Sequence, residues 1–192
     1  MLSRSTSRSH SRSVRPRLSF LRRAVSRLCV LCALLVGCGT SAPPADEADR
    51  RARVESMFAE VKARYSEVPV IDRAEVEALG ARAVLVDVRP ERERAVSTIP
   101  GAITEEAFAA LPAESDRVII AYCTIGERSG RFARDLVGNG VDARNLTGGI
   151  LGWAFDGGEL VDRAGEPTKR AHVYGDRWNL LPEGWVGVTG DQ

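Results

Sequence analysis

Apolar residues first fall into a helical rhythm at Val54, Met57, Phe58, Val61 and Tyr65, spaced i, i+3, i+4, i+7 and i+11. That spacing predicts one amphipathic helix over Asp49 to Glu67, its stripe turned to a core or a docking surface. The polar face mixes both charges, which does not suit a membrane-surface helix. From Val68 the pattern alternates. Val68 to Ile71 reads as a short strand, and Arg73 to Leu79 as a helix stopped by Gly80. Ala83 to Val88 is apolar except for Asp87, which predicts a strand buried on both faces. Glu105 to Leu111 reads as a helix and Arg117 to Tyr122 as the central strand. Ser129 to Asn139 is a further helix, Ala143 to Leu146 a short strand and Ile150 to Phe155 a short helix. Strands alternating with helices predict an α/β fold, a parallel sheet with helices on both faces. Ligands of such sheets bind outside the carboxyl ends of the strands. No repeat of about 20–50 residues interrupts this order.

The chain before this region has a different character. Residues 1–37 carry eight Arg and no acid, and end in an apolar run from Leu28 to Val36. That run is too short to span a bilayer. A basic segment followed by a short apolar one reads as an export signal. Leu35-Val36-Gly37-Cys38 resembles the lipobox of bacterial lipoproteins, which implies cleavage before Cys38 and a lipid on that cysteine. Residues 38–48 would then be a tether containing Pro43-Pro44. The expected product is lipid-anchored in the cell envelope, exported, facing the periplasm or on the outer membrane.

Removing the signal changes the charge. Eight of 27 basic residues leave, so 19 remain against 26 acids, a formal charge of −7 rather than +1. A nucleic-acid partner is not expected without a basic footprint. Cys29 and Cys32 leave as well, and with Cys38 lipidated Cys123 is the one free thiol. An internal disulfide is then impossible. His172 is the last histidine, which argues against a Cys/His metal cluster. The 155 residues left suffice for one domain with its own core.

The stretch around Cys123 carries the candidate chemistry. A buried strand, Val118 to Tyr122, runs into Cys123, then a tight loop to Arg128, then a helix. Such a loop turns backbone N–H groups into one bowl, beside the positive end of the helix dipole. Arg128 and Arg131 are near in sequence. These conditions lower a cysteine pKa and supply a thiolate nucleophile. The alternative is a structural cysteine at a strand end.

Four motifs, between about Val70 and Leu160, resemble a single rhodanese domain, the sulfurtransferase fold. Leu85-Val-Asp-Val-Arg89 is similar to the family's strand with Asp-x-Arg, and Ile99-Pro-Gly-Ala102 to its His-Ile-Pro-Gly-Ala segment. Tyr122-Cys-Thr-Ile-Gly-Glu-Arg-Ser129 resembles the active loop Cys-x-x-Gly-x-Arg-Ser. Leu146-Thr-Gly-Gly-Ile-Leu-Gly-Trp153 resembles Leu-x-Gly-Gly-x-x-x-Trp. The sequence departs from the pattern at Ser97-Thr98, where the family often has Gly-His. It departs again at Thr124 and Ile125, where many relatives carry a cation, which weakens the case for the thiosulfate dianion as donor. The resemblance implies a rhodanese-like domain over residues 68–161, with residues 49–67 as the preceding helix and 162–192 as an aromatic extension.

The mechanism so implied is transfer of sulfane sulfur. Cys123 takes sulfur from thiosulfate, polysulfide or a persulfide as a cysteine persulfide, and yields it to a thiol or cyanide. Thr124, Ile125, Gly126, Glu127, Arg128 and Ser129 would hold the donor through backbone N–H groups, with the Glu127 side chain toward solvent. Asp87 and Arg89 read as a structural pair bracing the loop that follows them. Gly148-Gly149 lacks the spacing and Lys of a phosphate loop and reads as a tight turn. No metal or organic cofactor is implied. The expected partners are a small sulfur-containing anion, a thiol acceptor, the membrane through lipid and an envelope protein. A non-catalytic binding module and a cysteine phosphatase or arsenate reductase on the related fold are the alternatives. In the extension, Gly165-Glu-Pro reads as a hairpin turn and His172 as packing.

Overall fold

The structure is a computed structural model and describes residues 46–112 and 116–190. The export signal, Cys38 and the tether up to residue 45 lie outside these residues. Among the described residues no helix is long and apolar enough to cross a membrane.

Helix α1, Glu47–Arg64, starts where the Asp46 carboxylate accepts the Asp49 amide, and it carries acids in its first turn and bases in its last. Of its stripe, Val54, Phe58, Val61 and Tyr65 are buried and Met57 is half-buried. Strand β1, Val70–Ile71, is shorter than its apolar run suggests. Helix α2, Arg73–Leu79, is closed by an Asp72/Glu75 capping box and stopped at Gly80, φ 55°. Strand β2, Ala83–Asp87, follows, then α3, Glu91–Arg94, and β3, Ile103–Thr104. After them come α4, Glu105–Ala109, β4, Val118–Tyr122, and α5, Glu127–Gly138. Strand β5, Ala143–Leu146, and α6, Gly149–Phe155, complete the α/β part.

The five strands form one parallel sheet in the order β1-β5-β4-β2-β3. Strand β4 is central and all five of its residues are buried. Its period-2 alternation divides the core. Val118, Ile120 and Tyr122 face Val76 of α2 and Ile150, Leu151 and Trp153 of α6. Ile119 and Ala121, with Cys123 beyond, face Phe58, Val61 and Tyr65 of α1, Ala133 of α5 and Phe108 of α4. Each Val, Ile, Leu or Phe side chain so enclosed contributes about 1.5–3 kcal/mol. Strand β2 corrects one expectation: only its last two residues are fully buried, because β2 neighbours the edge strand β3 and its start is half-covered.

The chain leaves β2 outward to β3 on one side and β4 outward to β5 on the other. The switch point therefore lies between β2 and β4, where their carboxyl ends pair as Asp87 with Tyr122. Cys123 is the next residue.

The C-terminal segment is part of the same core. Strands β6, Leu160–Val161, and β7, Pro167–Thr168, pair antiparallel about the turn at Gly165. Strands β8, Arg170–His172, and β9, Val186–Val188, pair in parallel. Ala171, Val173, Leu180 and Leu181 are buried against the α2/α6 side of the sheet.

Candidate active site

Cys123 is 1 % exposed. Its carbonyl accepts the Ile150 amide at 2.9 Å, and that of Thr124 accepts the Leu151 amide at 3.3 Å. The first turn of α6 thus ties down the start of the loop. Gly149 makes this approach possible: at φ 56°, a Cβ there would stand 2.5 Å from the Cys123 carbonyl oxygen. The Gly148-Gly149 turn is the tight strand-to-helix turn the sequence predicts.

Helix α5 starts at Glu127, two residues before the predicted Ser129. The reason is the conformation of Gly126, φ 114°, which turns the chain without a side-chain cap. Ser129 therefore caps nothing and bonds across to β5. Its hydroxyl donates to Asn145 Oδ1 at 2.7 Å, and Asn145 Nδ2 donates to the Gly126 carbonyl at 2.9 Å. The Gly126 amide donates to Cys123 Sγ at 3.2 Å. Burial alone would push the Cys123 thiol up. The Ser129 amide and the Arg128 charge, then the Gly126 amide, outweigh it, and the net direction is down.

Arg128 takes part through a carboxylate. Its Nη1 and Nη2 donate to Glu93 Oε1 and Oε2 at 2.7 and 2.8 Å, and Nη2 also reaches Thr124 Oγ1 at 3.1 Å. Thr124 Oγ1 donates to Glu93 Oε2 at 3.2 Å. Glu93 is buried on α3. Burial opposes its charge, but Arg128 holds its carboxyl below the usual range. Ile125 is half-buried on the core. Glu127 turns to α1 rather than to free solvent, accepting from Arg64 at 2.6 Å and from Tyr65 Oη at 3.0 Å.

Asp87 and Arg89 form the bracing pair expected of them. Arg89 Nε and Nη2 donate to the two Asp87 oxygens at 2.8 and 2.6 Å, and Nη2 also donates to the Ser97 carbonyl at 2.7 Å. Tyr122 Oη donates to Asp87 Oδ2 at 2.7 Å and accepts the Ile99 amide at 3.1 Å. Burial and the neighbouring carboxylate push this phenol up, which keeps it a donor. Thr98 joins the network through Tyr122 Oη at 2.7 Å. These side chains fix the 88–99 loop, and α3 within it delivers Glu93 to Arg128.

Sequence reasoning missed Glu93 and Asn145. Glu93 stands in alternating charges, Glu91-Arg-Glu-Arg94, with no apolar neighbour to signal burial. Asn145 left a fainter signal, a polar residue inside a short strand next to the central one. Among the described residues no three His, Cys, Asp or Glu side chains come together as a metal site.

Residues 72–156 match the family model described as Rhodanese-like domain. Similar solved structures include a rhodanese-related protein from Thermoplasma volcanium, 24 % identical over 48 % of this chain and 97 % of that one, TM-score 0.43. A thiosulfate sulfurtransferase from Pseudomonas aeruginosa is 25 % identical over 59 % of this chain and 23 % of that one, TM-score 0.47. A Rhodopseudomonas palustris protein of unknown function, described as a possible tyrosine phosphatase, is 26 % identical over 55 % of this chain and 91 % of that one, TM-score 0.41. No curated protein matches the chain.

Proposed function

We propose that this chain, which carries a rhodanese-like domain over residues 72–156, is a sulfurtransferase acting through Cys123. The observation that carries the reading is the Cys123 sulfur itself: it ends the central strand, accepts the Gly126 amide at 3.2 Å, and has its thiol pKa lowered. The Cys123 thiolate attacks the outer sulfur of a sulfane donor. A new S–S bond forms, the donor's S–S bond breaks, and its electron pair leaves with sulfite or a thiolate. An acceptor thiolate or cyanide then attacks the outer sulfur of the cysteine persulfide, and Cys123 departs again as thiolate. Oxidation states balance across the two steps, so no cofactor is required.

Sulfur is favoured over phosphorus by the size of the loop. Four residues separate Cys123 from Arg128, and Arg128 engages Glu93 through both terminal nitrogens. A tetrahedral phosphoryl group needs a wider ring of donors and a free guanidinium. One terminal sulfur needs only the amides. Misplacing a reacting atom by about 1 Å costs on the order of 10²-fold in rate. Assayed side by side, the protein should transfer sulfur from polysulfide or thiosulfate to cyanide and leave aryl phosphates intact, and Cys123→Ala should lose the sulfur transfer. Aryl phosphate hydrolysis without sulfur transfer would replace the reading by a phosphatase. Neither activity would leave a binding module.

Location is part of the proposal. The lipobox-like Leu35-Val-Gly-Cys38 supports a lipid on Cys38 that tethers the domain to the envelope, within reach of envelope thiols and protein partners. Gly39 is not an inner-membrane retention Asp, so the outer membrane is the destination where the cell has one. A Cys38→Ser chain should lose the mass of the lipid and its membrane attachment; the same mass and attachment in both chains would refute the anchor.

A further inference from the structure

Helix α1 precedes the matched domain, yet it touches the loop that holds Cys123. A Cβ at Gly126 would stand 2.7 Å from Phe58 Cε2 and 2.9 Å from Cδ2, so the Phe58 ring fills the place of a side chain there. Two turns on along α1, Tyr65 packs the same way on Gly130, whose Cβ would lie 2.6 Å from Tyr65 Cδ2. Tyr65 and Arg64 also bind the two Glu127 oxygens. The helix therefore contacts the loop and the first turn of α5 at Gly126, Glu127 and Gly130.

Gly126 is where this contact matters. A glycine has several backbone conformations open to it, and φ 114° is one of them. In that one, the Gly126 amide donates to Cys123 Sγ at 3.2 Å. Asn145 holds the Gly126 carbonyl at 2.9 Å. The Phe58 ring closes on the α-carbon. We propose that Phe58 is a positioning residue for the reactive sulfur: its ring keeps Gly126 in the one conformation that aims its N–H at Cys123 Sγ. Removing the ring frees Gly126 to rotate, and the thiolate loses a donor and becomes more basic.

The proposal rests on Cys123 as the reacting atom, so its test reads the thiol and not sulfur transfer. Alkylation rate of Cys123 against pH is measured in the full chain, with melting temperature beside it. The variants are Phe58→Ala, Phe58→Leu and Val61→Ala, the last being a buried α1 residue in the same core. Phe58→Ala should raise the midpoint by about half a pH unit or more, roughly threefold less thiolate at a fixed pH below it. Phe58→Leu refills most of the volume and should raise it less. Val61→Ala should lower the melting temperature and leave the midpoint in place. A wild-type midpoint in Phe58→Ala overturns the proposal, as does an equal rise in Val61→Ala. Should Phe58→Ala fail to fold, Phe58→Leu decides, an unshifted midpoint counting against the role. A shifted midpoint in a chain that transfers no sulfur would sustain the positioning role and refute the function alone.

Discussion

Glu93 and Arg128 meet oxygen to nitrogen at 2.7 and 2.8 Å, one side chain sealed and the other a third exposed. The pair braces the loop around Cys123 through Arg128, as Asn145 does through Gly126. Its worth is tempered by solvent at Arg128, so Glu93→Gln should cost about 1–2 kcal/mol at neutral pH, less than a fully sealed pair. The sign of its pH dependence follows from the lowered carboxyl. Stability from Glu93 is fully present above the unfolded value of about 4.3 and is lost as pH falls through the lower folded value. Urea unfolding at neutral and acid pH should show the wild-type advantage over Glu93→Gln shrinking as the solution is acidified through that window. An advantage that grows with acid would contradict the pairing. Cys123, Asp87 and Arg89 could be read from the sequence because each sits at the end of an apolar strand, where a polar side chain needs a reason. Glu93 could not, because its neighbours are charged and four residues make no helical stripe.

At the scale of elements, the loop is a splice between β4, α5 and α6. The order of these elements was legible from the chain, since β4 is a continuous apolar run and the glycines mark the turns. The start of α5 was not. Serine is a common helix cap, yet Ser129 lies inside the first turn and bonds Asn145 on another strand. A local rule was overridden by a partner 16 residues away. Two glycines separate the steric from the purely conformational contribution. Gly101, φ 76°, has nothing within 4 Å of its Cβ position, while at Gly149 the Cys123 and Thr124 carbonyl oxygens would lie at 2.5 and 2.8 Å. Gly101→Ala should therefore cost about 1–2 kcal/mol, the strain of a left-handed residue alone. Gly149→Ala should cost clearly more, because rigid backbone must move, and should slow alkylation of Cys123 as the loop shifts. Chemical denaturation of both variants checks the ranking; equal losses would mean that α6 does not hold the loop.

Across the molecule, four of the five parallel strands were legible from alternation between Val68 and Phe155, while β3, two residues long, was too short to show a period. On either side of that span the helix through Val54 and Tyr65 and the turn at Gly165 were legible, but not what these segments pack against. The stripe on α1 announced burial but not its target, and the target includes Gly126. Strands β8 and β9 pair in parallel across a separation of 16 residues, as Arg170 with Val186, and are joined by a crossover rather than by a hairpin turn. The segment reaches the sheet through Ala171, Val173, Leu180 and Leu181, all buried. The core around the site thus draws on the matched domain and on both of its flanks. The most direct measurement is the intact mass of the purified chain after incubation with polysulfide or thiosulfate. Sulfur transfer through Cys123 predicts a gain of one sulfur atom, removed by cyanide or a thiol and absent in Cys123→Ala. No gain in the wild-type chain, or an equal gain in Cys123→Ala, would contradict it.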